Sequence, residues 1–231
     1  NELKLMVEPN RYLNTFHLLK LEMGGSGLAQ DYVIDVNQLT LPLRQPLEPG
    51  ESIQLYLDYE LYLPSPVPNP NIRPIPFGYT SRQTNLVDWY PLIAPYQSGA
   101  GWLAHPAGFF GEHQVYTVAD FDIAIRLEDA RPDLIVAASA PAQEIDGWRL
   151  YRMEKARNFV FSVSPEYIVE STRVGQVTVT SYTFTVHAGA GETVLAAALR
   201  HNVGLPYGCR DGKCGSCSAR LLAGEVDYPE G

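Results

Sequence analysis

The feature that most constrains this chain is the placement of its three cysteines. Cys209, Cys214 and Cys217 lie within nine residues, and no cysteine occurs elsewhere in the 231 residues. A secreted disulfide framework spreads an even number of cysteines along the chain. Three thiols in one short loop read instead as a site whose sulfurs converge on a common centre.

The loop runs Leu205-Pro206-Tyr207-Gly208-Cys209-Arg210-Asp211-Gly212-Lys213-Cys214-Gly215-Ser216-Cys217. Its spacing, C-x4-C-x2-C, is the plant-type [2Fe–2S] ligand pattern up to its last member. Thiolates that converge from one side on two irons need a backbone that folds back on itself. Gly208, Gly212 and Gly215 permit positive φ and a close backbone approach. Successive N–H groups in such a nest can donate to the cluster sulfurs, and Arg210 and Lys213 add positive charge nearby. Zinc is an alternative reading, but zinc usually takes four nitrogen or sulfur ligands, often from paired CxxC motifs. Here one CxxC exists, and His201 is the nearest further donor. A set of inert or redox-active thiols is the other alternative.

Upstream of the loop, Gly191–His201 is the one strong helical stretch. Thr193 suits an N-cap, Ala and Leu are good helix formers, and Arg200 and His201 fall where the helix dipole favours cations. Leu195, Ala198 and Leu199 share one face. Gly204 and Pro206 stop the helix.

With these elements in place, His187–Gly231 resembles the first half of a ferredoxin module of the kind found in flavin-linked reductases of oxygenases. The matching stretches are GETVL, the alanine-rich helix, GLPYGC, CGSC and the following LLAGEVDY. The resemblance implies a β-grasp fold for Thr183–Gly231, with Cys209, Cys214 and Cys217 as ligands of a [2Fe–2S] cluster. It implies a redox partner such as a flavin reductase or an oxygenase. The family's fourth cysteine lies roughly thirty residues after the third, on a later loop. The chain ends fourteen residues after Cys217, so that ligand is missing from it. Both termini read as cut.

Residues 1–182 have a different character. Ser52–Leu63 alternates apolar and polar residues at period two, as a half-buried strand does. Tyr32–Leu41, His113–Leu127, Trp148–Met153, Phe159–Val163 and Val177–Phe184 are similar, and turn residues separate them at short intervals. The expected fold class is mainly β: a large antiparallel sandwich or sheet, followed by a partial α+β β-grasp segment. Pro64–Pro76 holds six prolines in thirteen residues and cannot be a central strand. Gly99–Gly111 is a second long loop.

This region resembles the N-terminal β domain of M1-family zinc aminopeptidase-like proteins. The stretches that carry the likeness are Leu47–Ile53, Phe77–Thr80, Asn85–Pro91, Gly111–His113, Tyr116–Asp122 and Val136–Ser139. In that family the zinc site lies in a following helical domain with an H-E-x-x-H helix. None of the five histidines here, His17, His105, His113, His187 and His201, has that spacing to another. No complete catalytic motif is present. Trp89 and Tyr90 read as core or loop anchors, and Gln83 lies where the family's β domain can reach toward substrate.

The functional expectation is an iron–sulfur electron-transfer module, incomplete, joined to a non-catalytic β domain; the alternative is a fragment of an M1-like metallopeptidase without its catalytic domain. The division falls at 1–182 and 183–231. The net charge of −9, from 26 acidic and 17 basic residues, argues against a general nucleic-acid binder. No apolar run approaches the ~20 residues that span a membrane. Cluster-type cysteines favour a cytoplasmic, reducing setting.

Overall fold

The computed structural model describes residues 1–24, 31–65, 77–106, 114–128, 131–201, 203 and 220–227. Among these, strand dominates. The helical elements are one α-helix, α1 (Val194–Arg200), and one 3-10 turn, Glu8–Arg11. Every strand pairing among the described residues is antiparallel. The chain is therefore mainly β, as its patterning predicts.

One core forms around Glu2–Met6, which lies between Gln38–Pro42 and Leu92–Ile93. Leu3 faces Leu41 and Leu5 faces Leu39 across the first pairing, and all four are buried. Phe16–Met23 and Leu55–Leu61 pair with each other and add Phe16 and Leu21 to that core. Leu55–Leu61 keeps the expected alternation, with Leu55, Leu57, Tyr59 and Leu61 turned to the core.

Its partner strand needs a correction of phase. Leu18 and Leu21 both pack on the core although an odd number of steps separates them. A register shift between Leu18 and Lys20 supplies the extra residue, and Leu19 is left exposed.

The apolar run Tyr32–Leu41, read as one strand, is two: Val33–Asp35 and Gln38–Pro42. The chain turns at Val36, whose φ is 51°. That region is unfavourable for a β-branched residue, so outside contacts hold the turn. Val7 N–H donates to the Asn37 carbonyl at 2.7 Å, and the buried Asn37 amide donates to Glu8 Oε2 at 3.0 Å. Asn10 Nδ2 donates to the Val36 carbonyl at 2.5 Å.

A second core gathers Ile125, Tyr151 and Phe159, with Trp89, Tyr90, Phe121 and Phe161 packed against it. It involves the sheet of Ala119–Ile125, Trp148–Ala156 and Gln143–Ile145, and the sheet of Ile135–Ala138, Phe161–Ser164, Thr84–Leu86 and Phe77–Tyr79. Trp89 and Tyr90 are anchors here. Trp89 Nε1 donates to the Phe159 carbonyl at 3.2 Å, and Tyr90 hydroxyl donates to Asn158 Oδ1 at 2.8 Å.

Pro64–Pro76 lies outside the described residues from 66 onward. At its near end, Tyr79 N–H donates to the Pro64 carbonyl at 3.1 Å. Beside it, Gly78 holds φ at +140°, and a Cβ there would meet the Pro64 carbonyl oxygen at 2.5 Å. Only glycine lets the two segments approach so closely.

Past the second core the chain makes a long hairpin. Ile168–Val174 pairs with Val177–Thr183 over seven rungs, from Val174 opposite Val177 to Ile168 opposite Thr183. Both strands are exposed along their whole length. The second strand leads into α1.

Candidate functional site

The sequence places its site in the cysteine loop. Gly208, Cys209, Arg210, Gly212, Cys214, Gly215 and Cys217 all lie outside the described residues, as does the Gly111–His113 stretch. What the structure describes is the chain that feeds this loop and the chain that leaves it.

The feeding element is α1, and its local chemistry follows the sequence. Thr193 is the N-cap: its hydroxyl accepts from Ala196 N–H at 3.1 Å. Ala197 and Ala198 are buried under the helix. Past the last turn, His201 N–H donates to the Ala197 carbonyl and Val203 N–H to the Ala198 carbonyl, both at 2.9 Å. Val203 is buried, so the chain is pinned just before the loop begins.

Arg200 lies in the last turn as its position predicts, yet its guanidinium does not cover the terminal carbonyls. Helical side chains lean toward the N-terminus, and Arg200 reaches back to Glu192. Its Nε donates to Glu192 Oε1 at 2.9 Å and its Nη2 to Oε2 at 2.8 Å. The same Nη2 donates to the His187 carbonyl at 2.8 Å, and Gly189 N–H donates to Glu192 Oε2 at 2.8 Å. The Arg200 hydrogen bonds, helped by the Gly189 amide, lower the Glu192 carboxyl from 4.5 to about 2.

A different arginine covers the helix end. Arg82, from the turn between Phe77–Tyr79 and Thr84–Leu86, donates through Nη1 to the His201 carbonyl at 3.3 Å. Its Nη2 donates to the Thr185 carbonyl at 3.4 Å, and its Nε to Glu166 Oε2 at 2.6 Å. The guanidinium carbon also lies 4.7 Å from the centre of the Phe184 ring. Phe184 in turn packs on Tyr167, with ring centres 4.8 Å apart. Burial pushes the Tyr167 hydroxyl up from its ordinary value, against a hydrogen bond with Ser162 that lowers it. The fully buried Ser164 ties this arrangement together: its hydroxyl donates to the Arg82 carbonyl at 2.6 Å and accepts from Glu166 N–H at 2.9 Å.

On the far side of the loop, Arg220 Nη2 donates to Glu170 Oε1 at 3.0 Å. That ion pair sets the returning chain against the first strand of the long hairpin. Leu221 and Leu222 remain exposed there.

Neither Arg82 nor Ser164 carries a signal in the sequence. Both sit in a β-rich region with no motif around them, and the bond that joins them spans 82 residues of sequence. Gln83, the residue placed toward substrate by the family resemblance, is buried in the same turn, where its carbonyl accepts from Thr80 N–H at 2.8 Å.

Three soft thiolates form a donor set suited to iron–sulfur chemistry. Among the described residues no group of three or more His, Cys, Asp or Glu could hold a metal ion. Among the same residues, no helix is long and apolar enough to cross a membrane.

Comparisons with known proteins bear on the segment around the loop. Residues 177–231 match the family described as the 2Fe-2S iron-sulfur cluster binding domain. A ferredoxin-like protein of Escherichia coli, YfaE, is 56% identical over 36 residues, which are 16% of this chain and 43% of that protein. Ferredoxin-2 of Synechococcus is 44% identical over 64 residues, 28% of this chain and 55% of that protein. The reductase component DmpP of phenol 2-monooxygenase from Pseudomonas is 48% identical over 40 residues, 17% of this chain and 11% of that protein. The chain thus spans 11% to 55% of the length of these relatives. The segment is an iron–sulfur module of the ferredoxin kind, and its cofactor is a [2Fe–2S] cluster.

Among solved structures, an M1 zinc metallopeptidase from Deinococcus radiodurans aligns at a TM-score of 0.44 and 15% identity, over 84% of this chain and 42% of that one. A two-domain M1 zinc metallopeptidase bound to L-tryptophan aligns at 0.42 and 15%, over 78% and 38%. This is the family that residues 1–182 resemble in sequence.

Proposed function

We propose that this chain carries one-electron transfer through a [2Fe–2S] cluster held by Cys209, Cys214 and Cys217. The observation that carries the reading is the match of 177–231 to the cluster-binding family, with the C-x4-C-x2-C spacing inside it. When bound, the cluster takes up and releases a single electron. The chain's own residues bind and tune it. The three thiolates would anchor iron, and Gly208, Gly212 and Gly215 would permit backbone N–H groups near the sulfurs. Arg210 and Lys213 offset the negative charge of the thiolate-bound centre. The fourth ligand of the plant-type pattern is not in this chain. The partner is a redox protein of the flavin-reductase or oxygenase type, and the compartment is cytoplasmic.

Residues 1–182 form a non-catalytic β domain beside residues 183–231. The family match opens at Val177, the first residue of the hairpin's second strand.

Anaerobic reconstitution with iron and sulfide tests the reading. The expected result is visible charge-transfer absorbance with about two irons and two acid-labile sulfides per chain, lost in Cys214→Ser. A colourless, iron-free protein after reconstitution overturns it.

A further inference from the structure

We propose that Arg82 is a positioning residue that couples the β region to the polypeptide feeding the cysteine loop. This inference rests on the electron-transfer reading for its purpose and on geometry for its existence.

The helix end needs such a residue. The last carbonyls of a helix have no partners within it, and basic side chains near that end satisfy them. The arginine of α1 itself is held back by Glu192 and the His187 carbonyl. Arg82 takes the vacant role from outside, through its bond to the His201 carbonyl.

The same guanidinium also holds Thr185 and lies over Phe184, so it grips the chain on both sides of α1. Glu166 and the buried Ser164 fix its own direction. Three donors in a rigid planar fork suit this task, whereas the ammonium of lysine offers a single point charge. Cys209 follows His201 by eight residues. Fixing His201 and Val203 therefore limits where the first thiolate can go, and metal binding is coupled to the folding of its loop.

The test uses the full chain, first without metal. Amide hydrogen exchange is compared in wild type, Arg82→Gln, Arg82→Lys and Ser164→Ala. In Arg82→Gln, exchange at His201 and Val203 should rise about tenfold or more, while Leu5 and Leu39 in the other core keep wild-type protection. Arg82→Lys should rescue little of it, and Ser164→Ala should give an intermediate loss. Reconstituted protein supplies the second readout. The variants should release iron to a chelator several-fold faster, with an altered visible circular dichroism spectrum.

Wild-type protection at His201 and Val203 in Arg82→Gln would overturn the proposal. So would an equal loss throughout the chain, which marks a purely structural arginine, or full rescue by lysine. If wild type takes up no iron, the electron-transfer reading fails, and the metal-free exchange data still decide the role of Arg82.

Discussion

Glu192 and Arg200 meet in a two-point ion pair that spans the length of α1, with bonds of 2.9 and 2.8 Å. The pair closes the segment from Gly189 to the last helical turn into one unit. Its carboxyl is held at about 2, below the ordinary 4.5, chiefly by the Arg200 hydrogen bonds. A group whose folded value is depressed contributes fully above its unfolded value and loses that contribution as pH falls toward the folded one. Acid should therefore loosen α1 between pH 4.5 and about 2. Glu192→Gln should lack this contribution at neutral pH and converge on wild type at the acid end. Helix exchange rates or circular dichroism across that range check it; parallel profiles at every pH would contradict the assignment.

Tyr59 behaves in the opposite direction. It is half-buried beside Phe16, and burial pushes its hydroxyl up from 10.0 to about 12. Its stabilising contribution is complete below pH 10 and is lost as pH rises through about 12, because the unfolded chain ionises first. Tyr59→Phe should shift alkaline unfolding to higher pH. Absorbance titration near 295 nm, at roughly the phenolate band of a tyrosine with unperturbed pKa of about 10, should lose its latest step in the variant.

Gly78→Ala should be among the most disruptive small changes in the chain. The new methyl would sit 2.5 Å from the Pro64 carbonyl oxygen, on a backbone whose φ is +140°. The backbone conformation alone costs roughly 1–3 kcal/mol for a residue with a side chain, and the clash adds to it. Denaturant unfolding measures the loss. A change within error would mean that the Pro64 segment moves aside freely.

Phe159 lies at the middle of the second core, fully buried and packed at a tilt against Tyr151 with 5.2 Å between ring centres. Phe159→Ala should cost about 3–5 kcal/mol, from lost burial and the cavity left behind. Trp89 fluorescence should follow the same transition, since its indole N–H is bonded to the Phe159 carbonyl.

What could be read in advance was whatever repeats locally or has a spacing of its own. Leu55–Leu61 shows its period of two, and α1 shows its cap, its alanines and its basic end. The cysteine loop likewise shows its C-x4-C-x2-C spacing within nine residues. What escaped was set by partners far away. Val36 reads as a strand residue and turns because Glu8, Asn10 and Val7 hold the turn. The extra residue at Leu19 corrects a phase that only the finished core defines. Arg82 has no local motif to mark it, and the partners of its guanidinium lie 84, 103 and 119 residues further on.

That last separation has a consequence for biosynthesis. The turn bearing Arg82 leaves the ribosome before His201, and at roughly 5–20 residues per second the intervening 119 residues take about 6–24 s to make. Small β structures complete their pairing within milliseconds to seconds. The turn that bears Arg82 is thus made well before the helix, and Ser164 and Glu166, which fix its direction, precede His201 by 37 and 35 residues, so the receptor for the helix end is synthesised ahead of the helix and the cysteines follow it.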